Sequence, residues 1–289
     1  MEAKPFVPII ELEITPTRPD QPDKLKAVLL ALTNDDPQFR AEVDEMTGRV
    51  KIAGIDDRQL SEKIARLQGD GIDLKVSPPQ IAYRETIGQR VEQDYTHKKA
   101  LAGAGQFAVV RLIVEPNSPG DENNFRDQLP PDTLPESFVL AIRRGMESVL
   151  LGGGLLAGFP VIRLTACLID GKYHDVDSTP LAFEIATRGA IRQALANAGP
   201  ILLEPIMKVD IEAPDAFASR ILADLRARKA HIEEMGRCRI IALAPAANLL
   251  GYSSALKEIT GNAEYSVQFD HYAPVPDPPP FASAAGLRA

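Results

Sequence analysis

The spacing of apolar positions changes several times along this chain. Residues 7–15 alternate and are rich in β-branched side chains, which predicts a strand. After Pro22, placed for a first helical turn, Leu25, Val28, Leu29 and Leu32 fall on one face, which predicts a helix. Residues 39–43 and 50–53 read as two short strands around a hairpin turn at 45–48. A second helix follows over 56–67 and a last strand over 72–76, closed by Pro78 and Pro79. That order, βαββαβ, fits a ferredoxin-like sandwich, an antiparallel sheet with two helices on one face.

The same order returns at the other end. Residues 201–212 read as a strand, and Pro214 opens a helix with Phe217, Ile221, Leu222 and Leu225 on one face. Strands are expected over 231–234 and 238–244, a less regular helical stretch over 246–260, and a closing strand over 263–270. The middle differs, with long alternating segments at 83–97 and 106–116 and a strand at 161–169. Its helix at 135–150 turns Phe138, Ile142, Met146 and Val149 inward, and its last helix, 181–198, is capped near Ser178 or Thr179 with Pro180 at its start. The expected class is therefore α+β, with two ferredoxin-like βαββαβ sandwiches flanking a different α/β region.

Composition narrows the chemistry. The chain has 289 residues, 45% of them hydrophobic, enough for two or three domains. No run approaches the length of a membrane span and the first residues lack a signal peptide's apolar stretch, so a cytoplasmic protein with no membrane partner is expected. Cys167 and Cys238 lie in separate apolar runs without a cysteine or histidine at ligand spacing, and are expected to be buried free thiols. The glycine-dense run Gly152, Gly153, Gly154 is followed by Leu155 and Leu156 rather than by the lysine and hydroxyl of a phosphate-binding loop, so it reads as a loop after a helix. Adjacent acids such as Asp56 with Asp57 and Glu233 with Glu234 read as solvated charge, and Gly251, Tyr252, Ser253 and Ser254 lack the second glycine of a nucleophile elbow. No enzyme activity, cofactor or metal is expected. The net charge of −8 opposes RNA binding by the chain as a whole, although Arg220, Arg226, Arg228, Lys229 and His231 can form a local basic patch.

Three segments carry a family resemblance. Residues 202–214, LLEPIMKVDIEAP, residues 265–276, YSVQFDHYAPVP, and residues 171–178, GKYHDVDS, resemble the corresponding junction, final strand and domain IV loop of ribosomal translocases of the elongation factor G type. The resemblance implies domain III over 1–80, a domain IV with a ribosomal protein S5 domain 2-like fold over 81–200, and domain V over 201–276, followed by a disordered proline- and alanine-rich tail over 277–289. It implies that the tip of domain IV meets the decoding region of the small ribosomal subunit. That tip corresponds to a glycine-rich turn containing Gly103, Ala104, Gly105 and Gln106 and to a second loop containing Lys172, His174 and Asp175. Ala104 stands where the family carries Arg or Lys, which removes one charge-assisted phosphate contact. Residues 54–60 keep the glycine and leucine of the family's Gly-x-Gly-Glu-Leu-His-Leu run but not its core, and Arg226, Arg228 and Lys229 remain of a basic turn in domain V. The partners implied are the ribosome and a separate GTPase domain or protein. Two readings follow: a ribosome-binding elongation factor, as a fragment or as a stand-alone relative, or a scaffold that kept the fold and lost the ribosome.

Overall fold

The computed structural model describes residues 8–18, 21–44, 49–101, 104–261 and 263–276. The expected 45–48 turn and the 277–289 tail lie outside these residues. In chain order the first elements are β1 (Ile10–Pro16), α1 (Pro22–Asp35), β2 (Arg40–Val43), β3 (Val50–Gly54), α2 (Asp57–Gly69), β4 (Leu74–Val76) and β5 (Gln80–Ile81). They are followed by β6 (Arg84–Ile87), β7 (Val91–Leu101), β8 (Ala104–Pro116), β9 (Asn124–Asp127), α3 (Glu136–Gly152), β10 (Leu164–Lys172), α4 (Pro180–Asn197) and β11 (Pro200–Glu212). The last are α5 (Ala218–Ala227), β12 (His231–Met235), β13 (Arg239–Pro245), α6 (Tyr252–Thr260) and β14 (Glu264–Pro274). Two compact units result, one formed by the described residues up to Ala82 together with Glu204–Ala273, the other centred on Tyr83–Leu203.

The first unit contains the two repeated sandwiches. Their sheets have the orders β2-β3-β1-β4 and β12-β13-β11-β14, the same topology twice. In the first, alternation along β1 buries Ile10, Leu12 and Ile14, and Leu25, Leu29 and Leu32 of α1 and Leu60 and Leu67 of α2 are buried as well. Each such side chain contributes roughly 1.5–3 kcal/mol by leaving water. Residues 72 and 73 are not strand as expected, because the buried Gln21 side chain takes them over: its amide nitrogen donates to Gly71 O (3.0 Å) and its oxygen accepts from Asp73 N (3.2 Å). In the second sandwich, Pro214 is followed by a single tight turn before α5 begins, and the irregular 246–260 stretch resolves into a tight turn and α6, separated by Gly251 in the left-handed conformation (φ 72°).

Asp56 and Asp57 are not solvated charge. Asp56 is the N-cap of α2, accepting from Gln59 N at 2.7 Å, and burial pushes its carboxyl above the usual range. Asp57 accepts the Gly251 amide at 2.6 Å and so ties the first sandwich to the second. Cys167 is buried as expected, but Cys238 is exposed, because it sits in the turn between β12 and β13 rather than inside the strand.

In the second unit one sheet, β7-β8-β10-β9, is packed on one face by α3 and α4. Val110, Leu112, Val114, Ala166 and Leu168 of the sheet meet Ile142 and Met146 of α3 and Phe183, Ala186 and Ala190 of α4. The helices approach closely at Gly145, where a β-carbon would lie 2.8 Å from Glu184 O. The long segment expected over 83–97 is broken. The Gly88 amide donates to both Ala198 O (3.0 Å) and Gly199 O (2.9 Å), so β6 turns away to pair with β11 while β7 pairs with β8. Strand β9 has no counterpart in the hydrophobic pattern. Its four residues, half of them charged, carry no apolar alternation, and it lies parallel to β10 because the Asn123 side chain bridges Val161 O (2.7 Å) and Leu164 N (3.1 Å). Finally, β10 runs three residues beyond its expected end, to Lys172, which carries the following loop toward the end of the β7–β8 hairpin.

Candidate functional site

The 152–154 glycine run does follow a helix, and it is a built feature rather than a slack connection. The Glu85 side chain, 1% exposed, holds the loop through four backbone amides: Leu156 N donates to Oε2 at 2.9 Å, while Ala157, Gly158 and Phe159 donate to Oε1 at 2.9, 2.9 and 3.1 Å. Gly154 lies against the same carboxylate, with no room for a β-carbon. Every donor is the chain's own, so this cradle is filled by Glu85 and is not free for a phosphate.

The two loops singled out for the tip meet at Phe107. Its amide donates to Asp177 O (2.9 Å), and its carbonyl accepts from Ser178 Oγ (2.6 Å). Ser178 Oγ in turn accepts from His174 N at 2.9 Å, and Ser178 N donates to His174 O at 3.0 Å, closing the loop on itself. Gly105 permits the close approach, since a β-carbon there would stand 2.6 Å from the Asp177 carboxylate. Gln106 Oε1 lies 2.9 Å from His97 Nε2, a pairing across the hairpin. Gly103 lies outside the described residues, and Ala104 begins β8 opposite Leu101. Asp175 is exposed.

The cap of α4 is Thr179, whose hydroxyl accepts from Ala182 N at 3.2 Å, so neither Asp175 nor Asp177 caps it. Asp177 faces His174 instead, with Oδ2 3.6 Å from Nδ1. Lys172 ends β10 and is exposed, and Lys98 and Lys99, also exposed, stand opposite Phe107 and Gln106 on the hairpin. Sequence reasoning misses those two lysines, although they stand side by side a few residues before the glycine-rich turn. With Lys172 they are three exposed lysines on the strands that lead into the joined loops of a chain of net charge −8.

The basic turn of the C-terminal sandwich divides differently. Arg226 is exposed, and Lys229 is exposed on a left-handed backbone (φ 58°). Arg228 is not available as a surface contact: its Nε donates to Asp224 Oδ2 (2.8 Å), its Nη1 donates to Asn248 O (2.7 Å), and its guanidinium lies 5.0 Å from the Tyr252 ring centre. It fastens α5 to the turn before α6. The same unit has an open cleft of about 720 Å³ lined by Arg58, Ser253, Ser254, Lys257 and Tyr265, with the Arg58 guanidinium 5.7 Å from the Tyr265 ring centre. No helix among the described residues is long and apolar enough to cross a membrane.

Comparison with known proteins identifies the class. The family model of elongation factor G domain IV matches residues 79–199, and that of the elongation factor G C-terminus matches residues 201–281. A crystal structure of a Thermus thermophilus protein superposes over 98% of this chain with a TM-score of 0.75 and 33% sequence identity. This chain spans 43% of that protein's length. The two family models together cover most of the chain, which belongs to the elongation factor G family and carries its domain IV and C-terminal domain.

Proposed function

We propose that this chain acts in translational elongation as the ribosome-contacting part of an elongation factor G-type translocase, in the cytoplasm, with the joined loops of the domain IV region meeting RNA in the decoding region of the small subunit. The observation that carries the reading is the junction at Phe107. Phe107 and Ser178, 71 residues apart in sequence, are bonded to each other, so two distant loops form one surface. Lys98 and Lys99 are exposed on the strand beside Phe107 and Gln106, their side chains leaving opposite faces, and Lys172 and His174 are exposed on the other loop. A ligand that is itself a polyanion suits three ammonium groups and an imidazole on a chain of net charge −8, because binding then depends on the local field rather than the total.

Ala104 leaves the hairpin without one cation, so Lys98, Lys99 and Lys172 carry the phosphate attraction here. GTP hydrolysis has to come from a GTPase domain or protein, since residues 1–289 contain no phosphate-binding loop motif. Arg226 and Lys229 form a second, smaller basic contact in the C-terminal domain. A scaffold that no longer meets the ribosome is the competing reading, favoured by the acidic total and by Ala104. Cosedimentation with ribosomes across a salt series separates the two. The first reading expects binding that falls with salt, and a slope shallower by about one for Lys172→Ala; no binding at low salt supports the scaffold.

A further inference from the structure

Resting on that reading, we infer that Ser178 and Asp177 are positioning residues of the contact surface. They weld the β7–β8 hairpin to the β10–α4 loop and fix the turn whose Val176 amide donates to His174 Nδ1, so that the ring presents an Nε2–H donor outward to the RNA. The weld has four contacts, two of them on one hydroxyl. Ser178 Oγ donates to Phe107 O at 2.6 Å while accepting from His174 N at 2.9 Å, so one hydroxyl links both loops. Asp177 O accepts from Phe107 N at 2.9 Å, and the Asp177 carboxylate packs over Gly105, the one residue type that admits it there. A hydroxyl is suited to this place because it donates and accepts at once, which a methyl group or a carboxylate does not.

The tautomer follows from the neighbours of the ring. Val176 N donates to His174 Nδ1 at 3.3 Å, while the Asp177 carboxylate on the same side stands at 3.6 Å, outside hydrogen-bond distance, so Nδ1 offers its lone pair to the amide and the ring in its neutral form carries its proton on Nε2. The ring is exposed, at 60%, and its Nε2 edge is directed to no acceptor of the chain among the described residues, leaving the donor for a phosphate, ribose or base oxygen of the partner. Backbone order matters as much as the donor. A loop that must be immobilised on contact loses conformational entropy on binding, and a loop already bonded at Phe107 has less to lose.

The test compares Ser178→Ala and Ser178→Thr with the wild type in the full chain. Nitrogen-15 spectra of the His174 ring and hydrogen exchange of the Phe107 amide are read first, because neither needs a ribosome. The wild type is expected to show the Nε2–H form and a protected Phe107 amide. Ser178→Ala is expected to raise the Phe107 exchange rate at least tenfold and to mix the tautomers, and Ser178→Thr to restore both. An Nδ1–H form in the wild type, or unchanged exchange in Ser178→Ala, overturns the inference whether or not ribosomes are bound.

Cosedimentation then reads the consequence. Ser178→Ala is expected to weaken ribosome binding about tenfold with an unchanged unfolding midpoint, and to add less than twofold when placed on a Lys172→Ala, His174→Ala background. Equal losses on both backgrounds would mean that Ser178 does not act through those groups. Failure of the wild type to bind ribosomes removes the proposed function but leaves the spectroscopic result standing on its own.

Discussion

Glu85 offers the sharpest test of how the domain IV region is held together. Its two oxygens accept four backbone N–H groups from residues 156–159, so cutting the side chain back removes four bonds at once. Hydrogen bonds to a charged group are each worth roughly 1.5–3 kcal/mol, so a simple sum for Glu85→Ala would exceed about 6 kcal/mol. The loop residues are only partly buried, so water takes over some of the donors, and the expected cost falls to about 3–4 kcal/mol. Glu85→Gln keeps one acceptor oxygen but turns an amide NH₂ toward the remaining donors, for an expected cost of about 2 kcal/mol. Denaturant unfolding gives the free energies, with an unchanged m-value to show that only stability moved. Hydrogen exchange at residues 156–159 should accelerate in the same order. Stabilities of both variants within about 0.5 kcal/mol of the wild type would refute the claim that one carboxylate organises the glycine-rich loop.

Other substitutions separate packing from contact. Arg228→Ala should destabilise the chain by about 2 kcal/mol in thermal or chemical unfolding, since it frees Asp224 and the Asn248 carbonyl, and should leave the salt dependence of RNA binding unchanged. Gly145→Ala forces a β-carbon to within 2.8 Å of Glu184 O, so calorimetry should show a loss of about 1–3 kcal/mol from the separated α3 and α4 helices. Asp36 is desolvated, but bonds from Lys63, Gln59 and Gln38 outweigh that and hold its carboxyl below its ordinary 3.8. Its contribution is therefore present above pH 3.8 and is lost as the pH falls through its lower folded value, and the acid limb of a pH–stability curve should flatten in Asp36→Asn. Asp56 has the opposite sign: burial raises its carboxyl, so stability falls as the pH rises from 3.8 through the folded value, and Asp56→Asn, which keeps the cap, should be neutral or stabilising at about pH 7 in unfolding experiments.

Elements whose apolar period is long and regular are legible in the sequence. Strand β1, helix α1 and helix α4 follow directly from alternation, from the Leu25, Leu29 and Leu32 stripe, and from a hydroxyl before Pro180. Strand β9 is illegible because its pairing depends on the Asn123 side chain and not on its own pattern. Glu85 gives no signal either, since its four donors lie more than 70 residues away and are backbone groups that any residue would supply. Arg228 looks like its neighbours Arg226 and Lys229. Asp224 is its i−4 neighbour along the helix, but only the fold, which brings the Asn248 carbonyl and Tyr252 beside it, makes it a structural clamp. Both candidate loops can be picked out from their residues, yet the bond from Ser178 to Phe107 cannot, because periodicity says nothing about which loops end up together.

The measurement that bears most directly on the central claim is cosedimentation of the full chain with ribosomes over a salt series, with Lys98→Ala/Lys99→Ala and Lys172→Ala beside it. The account predicts binding at low salt that weakens as salt rises, a shallower slope for each variant, and little change for Arg228→Ala. Absence of binding at the lowest salt, or binding indifferent to all three lysines, would contradict it.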